Sequence, residues 1–216
     1  MKSDLNKAAT AATETLIRYS VQTTPVSPLR ILEQMDNVIV TSFSEVSDST
    51  GISRSEFVSL LGKNRDAITS VHSENRKKTY VVAYNRLLPF TIIQRALARE
   101  MAHIVLNHDG SSAENEKEAE CFSVHLLCPR PLIHAIQATG MKITVDLLSN
   151  LTGVFDQFAL CMRHLPGTFV PSALNRFVRG QFMPFFANFF EYYQYMKPQD
   201  GSAVADFGTY MDGYEE

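Results

Sequence analysis

The run Arg99-Glu100-Met101-Ala102-His103, followed by Glu116-Lys117-Glu118-Ala119-Glu120, holds the residue types from which hydrolytic metal sites are built. Residues four apart on a helix share one face, about 5–6 Å from each other. When both are histidines they bind one zinc ion, and a glutamate directly after the first stands beside the metal-bound water as general base. A third ligand, commonly a glutamate from a following helix, leaves one position open for water. Glu100, His103 and Glu116 have the types and spacing of the base, the second ligand and the third ligand. The first histidine is missing. Arg99 stands in its place, and a guanidinium stays protonated and so cannot coordinate a metal. Alone, Glu100 and His103 read as a solvated helix pair. His72, His125, His134 and His164 lack ligand spacing and read as ordinary surface or core residues.

These side chains need elements to position them. An alanine-rich helix is expected over 8–22, and Pro25-Val26-Ser27-Pro28 breaks it before a short helix that runs to Met35. Val38-Ile39-Val40-Thr41-Ser42-Phe43 reads as a strand, and Ser53 with Glu56 as the capping box of a helix over 53–61. Segments 67–72 and 79–85, joined by polar residues, read as an antiparallel hairpin. Apolar Ile93, Leu97, Met101, Ile104 and Val105 recur at helical spacing and predict a long helix over 90–106. Further helices follow at 113–127 and 131–139, the latter ended by Gly140, and two short ones flank Gly153 within 144–165. An aromatic-rich helix spans 172–196, and an acidic tail with Gly201, Gly208 and Gly213 is expected to be mobile. The order is α+β: a mostly helical domain over 1–142 with a small antiparallel sheet, a helical region over 143–197, and a tail over 198–216.

The phrases Phe90-Thr91 … Arg99-Glu100-Met101-Ala102-His103 and Glu116-x-x-Ala119-Glu120-x-Phe122-Ser123-x-x-Leu126-Leu127-Cys128-Pro129 resemble the ImmA/IrrE metallopeptidase-like family. Its members typically show F-T-x-A-H-E-x-G-H and then E-x-x-A-N-x-F-A-x-x-L-L-M-P. The resemblance covers roughly residues 10–165 and implies a zincin-like fold of the gluzincin type. It implies Glu100 as the catalytic glutamate, and His103 and Glu116 as zinc ligands. Glu120 falls where the family has an Asn or Asp that holds a ligand from behind, and Glu118 is a neighbouring candidate for third ligand. Arg99 for histidine, Ala102 for glycine and Cys128 for methionine depart from the pattern, and only the first departure strikes at chemistry.

Three readings of Arg99 stand side by side. In the first, its guanidinium replaces the lost cation and neutralises Glu100 or Glu116 through a bidentate pair, giving a metal-free pseudo-enzyme with an intact fold. In the second, His108 rebuilds a zinc site with His103 and Glu116, which requires the helix to end near Leu106 because five residues turn His108 about 140° away. In the third, His103, Glu116 and waters hold a metal loosely. The cofactor is accordingly zinc or none. The resemblance implies a regulator of mobile-element or stress genes that binds a protein partner such as a repressor, since active members cleave a helix-turn-helix repressor. An active zinc endopeptidase with a rearranged ligand set is the alternative.

Residues 147–165 resemble a helix-turn-helix pair, with Gly153 in the turn. The second helix offers only Gln157 and Arg163 to DNA, with Asp156 opposing a phosphate backbone, so a structural pair fits better than a DNA-binding regulator. A net charge of −3 over 216 residues gives no general pull toward nucleic acid. The aromatics of 172–196 call for burial on more than one face, within the domain or in a dimer. Three cysteines without a CxxC pair point to a reducing compartment. With no apolar leader and no run long enough to span a membrane, the expectation is a cytoplasmic protein.

Overall fold

The computed structural model describes residues 3–53, 55–56, 59, 66–75, 77–110, 112–154, 161 and 164–196, with side chains to residue 191. Among the described residues the chain forms eight helices and three strands, an α+β arrangement. The expected second helix of the pair after Gly153 falls largely on 155–160, and the acidic tail on 198–216, both outside the described residues. Most of the helix expected over 53–61 also lies outside them, although Ser53 and Glu56 make the reciprocal bonds of a capping box: Glu56 N donates to Ser53 Oγ (3.3 Å) and Ser53 N to Glu56 Oε2 (3.0 Å).

Helix α1 (Leu5–Arg18) starts where the Asp4 side chain accepts from Lys7 N, and it buries Ala8, Ala9, Ala12 and Leu16 on one face. Ser27 and Pro28 open α2 (Pro28–Glu33). Strand β1 (Val38–Ser42) is one residue shorter than expected, because Ser42 and Glu45 form a capping box that turns Phe43 into the first residue of helix α3 (Phe43–Thr50). Strands β2 (Ala67–Glu74) and β3 (Lys77–Tyr84) form the expected antiparallel hairpin, with Asn75 left-handed in its turn at φ 49°. The sheet order is β1-β3-β2, and β1 runs parallel to β3 in the register Val38 to Tyr80 through Ser42 to Tyr84. The sheet is therefore mixed rather than wholly antiparallel, and β2 is an edge.

Helix α4 (Phe90–Val105) and helix α5 (Ala113–Leu127) follow, then α6 (Arg130–Ala138), α7 (Val145–Thr152) and the long α8 (Ser172–Met196). Ser112 caps α5 by accepting from Asn115 N. Along α5 the face of Glu114 and Glu116 gives way to Cys121, Phe122, Val124, Leu126 and Leu127, buried on all sides. A helix apolar all round lies at the centre of a core. Accordingly α1 and α4 pack against α5, while α8 packs against α6 and α1. Phe182, Phe186 and Phe190 of α8 are buried, and Gln181 Nε2 donates to the carbonyls of Leu16 and Val21 at the end of α1. One apolar cluster runs from Ala8 to Phe190.

Candidate functional site

Helix α4 carries Arg99, Glu100 and His103 along the side that faces β2 and the start of α5, where a cleft of about 860 Å³ opens. Arg99 and His103, four residues apart, lie one turn above each other on that side. Glu116, on the exposed first half of α5, reaches both: Arg99 Nη2 donates to Glu116 Oε2, and Glu116 Oε1 stands 3.6 Å from His103 Nε2. The pair is thus a single N–H to oxygen contact with the second oxygen turned to the imidazole, where the sequence had suggested a bidentate fork. Arg99 Nε is buried without a hydrogen-bond partner. Glu100 faces the strand: Thr69 Oγ1 of β2 donates to its Oε2 at 2.6 Å.

The chain reverses sharply after α4. Leu106 caps the helix, Asn107 turns left-handed at φ 54°, and His108 N donates to the His103 carbonyl at 3.0 Å. Lys78 Nζ holds the Asn107 side chain at 3.0 Å. This early ending swings His108 back, so that its Nδ1 lies 3.0 Å from His103 Nδ1 and the rings meet edge to face. His108 Nε2 lies 3.0 Å from Glu118 Oε2, and Glu118 Oε1 accepts from the backbone N–H of Asp4 at 2.7 Å. Glu118 therefore supports His108 and the entry to α1. Glu120 Oε1 lies 3.0 Å from Nε2 of His164.

The donor set decides whether a zinc ion fits. His103 turns Nε2 to Glu116 and Nδ1 to His108, and a single ion cannot take both nitrogens of one ring. His103 and Glu116 therefore present two donors to a common point, and the position of the first histidine ligand carries Arg99, a cation. Among the described residues no group of three or more His, Cys, Asp or Glu side chains is arranged to hold a metal. The described residues of the cleft do not fit the ion.

Two polar groups of the interior escape a spacing argument. His125 is fully buried, its Nε2 lies 2.8 Å from Thr168 Oγ1, and Arg130 Nη2 donates to the Thr168 carbonyl at 2.6 Å. Burial first, then the nearby Arg130 and His164, push the His125 imidazole down to about 3, so it stays neutral. Burial, with Glu120 and Glu118 nearby, pushes the Cys121 thiol up to about 12. Thr69 was equally hidden, since it meets Glu100 only through the fold, 31 residues away.

Set against known families, residues 61–160 match the Peptidase_M78 model, described as the IrrE N-terminal-like domain. The match takes in the hairpin, α4, α5, α6 and α7, and with them Arg99 through Glu120; residues 10–60 of the span resembling the family stand outside it. No curated protein and no solved structure matches the chain. Among the described residues no helix is long and apolar enough to cross a membrane.

Proposed function

From the similarity of residues 61–160 to the IrrE N-terminal-like domain, we propose that this chain keeps the metallopeptidase-type fold as a binding module and has lost the hydrolytic chemistry. It takes an extended segment of a protein partner, a repressor-type regulator, into the cleft between β2 and α4, and acts on gene regulation by holding that partner rather than cutting it. The observation that carries this reading is the contact of Arg99 with Glu116. A permanent cation sits where hydrolysis needs a ligand, and it engages the very carboxylate that would complete the ligand set.

The cleft itself supports peptide binding. Its strand wall is β2, the edge of the sheet, contributing Ala67, Ile68, Thr69 and Val71. An edge strand offers backbone N–H and C=O groups to an added strand, which gives affinity, while alternate side chains give selectivity. Ile92 and Ala96 of α4 supply apolar surface opposite, with Arg95 beside them.

The test is a titration of the protein with a co-encoded repressor in the presence of zinc, read by calorimetry and by mass spectrometry of the products. Binding without cleavage is expected, and a charged substitution such as Val71→Asp on the edge strand weakens it. Cleavage that both a chelator and Glu100→Gln abolish overturns the reading in favour of a working peptidase.

A further inference from the structure

Helix α8 divides its aromatic and apolar side chains between two sides. Phe182, Phe186 and Phe190 lie in the core, whereas Phe177 is 59% and Met183 41% exposed on the outward side. Arg176, Gly180, Pro184, Ala187 and Glu191 share that side at spacings of three and four residues, and all are exposed. Two features of this face have no explanation within the chain. Gly180 has ordinary helical backbone, and a Cβ there would meet nothing within 4 Å, yet glycine destabilises a helix interior relative to alanine. Arg176 and Glu191 have no ion-pair partner among the described residues. They sit at opposite ends of the face, about 22 Å apart along the helix, and cannot reach each other.

The face is complementary to itself. When it is laid antiparallel on a second copy, with the twofold axis between Met183 and Pro184, Arg176 of each helix stands level with Glu191 of the other. Gly180 then stands level with Ala187, and these two small residues let the backbones approach closely while Met183 and Pro184 meet at the axis. One surface thus joins opposite charges at both of its ends. Residues 198–216 carry five acids and no base, so they would answer Arg176 and leave Glu191 beside like charge.

We propose that the outward face of α8, from Arg176 to Glu191, is the contact surface of an antiparallel homodimer. The dimer is independent of the reading of the cleft, because α8 lies outside residues 61–160 that match the family. A single helix pair is a small interface, so the association is reversible, with a Kd of about 1–100 μM.

Sedimentation velocity of the full chain over about 1–300 μM, a range that brackets this Kd, reads the oligomer. Wild type is expected to pass from monomer to dimer as concentration rises. Gly180→Leu, whose side chain enters open space in the monomer, is expected to stay monomeric with a Tm no lower than that of wild type. Arg176→Glu and Glu191→Arg each bring like charges together at both ends and raise Kd about tenfold or more. Mixed in equal amounts, these two variants recover the dimer, since each end of the mixed pair again joins opposite charges. A merely structural role for either residue would not produce that recovery. Any one of three outcomes overturns the proposal: wild type monomeric throughout, whether the face is bare or covered by residues 198–216; folded Gly180→Leu that dimerises like wild type; or a mixture of the charge variants no more dimeric than its parts. If Gly180→Leu does not fold, the mixture alone decides.

Discussion

Thr69 Oγ1 donates to Glu100 Oε2 at 2.6 Å, joining edge strand β2 to the middle of α4. The contact bridges the floor of the cleft, so the glutamate that the family's phrase assigns to catalysis here also fastens the strand on which a peptide would lie. The carboxylate is engaged by a hydroxyl, which ties the sheet edge to the site helix.

A hydrogen bond to an ionised group contributes about 1.5–3 kcal/mol when partly shielded from water. Thr69→Val keeps the shape and removes the donor, so it is expected to lower stability by about 1–2 kcal/mol in chemical denaturation. A double-mutant cycle of Thr69→Val with Glu100→Ala should return a coupling of about 1–2 kcal/mol, since each change removes this contact. Full additivity of the two losses would show that the contact does not form in solution.

The Arg99–Glu116 pair is a different case, because both side chains are 37% exposed. Water and salt screen such a pair, and the expected coupling in a double-mutant cycle with Arg99→Ala and Glu116→Ala is about 0.5–1 kcal/mol. Raising sodium chloride to about 1 M, where the screening length is about 3 Å, should shrink that coupling markedly. A coupling that ignores salt would mean that the contact is shielded from solvent.

Much of this arrangement was legible in the sequence, for reasons that can be named. Pro89, Ser112, Gly140 and Gly153 punctuate the chain, so α4, α5, α6 and α7 fall close to their expected places. The i, i+4 rule alone puts Arg99 above His103. What stayed hidden depends on long-range geometry or on competing local signals. The β-branched run Val38-Ile39-Val40-Thr41 masks the Ser42–Glu45 capping box that starts α3, and nothing local announces that β1 lies parallel to β3. The return of His108 depends on one left-handed residue, Asn107, whose side chain is held by Lys78. The partners Thr69 for Glu100 and His164 for Glu120 are joined across 31 and 44 residues, where spacing carries no information.

Buried His125 gives the fold an acid sensitivity. In the unfolded chain it takes a proton below its ordinary value of 6.5, whereas in the native core it does so only near 3. Between those limits the unfolded state binds more protons, so stability falls as pH drops from 6.5 toward 3 and is level above 6.5 as far as this group is concerned. The slope from this residue reaches at most about 1.4 kcal/mol per pH unit. Urea melts of wild type and His125→Gln at pH 7.0, 6.0 and 5.0 check it: the variant should lose stability overall and lose this part of the slope. Identical slopes in the two proteins would refute the assignment.

Gly153 closes α7 at φ +68°, and a Cβ there would meet Pro25 Cβ at 3.1 Å and Phe90 Cε1 at 3.2 Å. Gly140 has a similar φ of +71° with nothing within 4 Å, so the two positions separate backbone strain from crowding. Left-handed backbone costs an L-residue about 1–2 kcal/mol, and Gly140→Ala should lose about that much. Gly153→Ala should lose about 1–2 kcal/mol more, because Pro25 and Phe90, the first residue of the site helix, must give way. Denaturation midpoints of the two variants measured side by side decide the matter. Equal losses would mean that α7 moves off Phe90 without cost, and that the start of α4 does not depend on the helical region after residue 143.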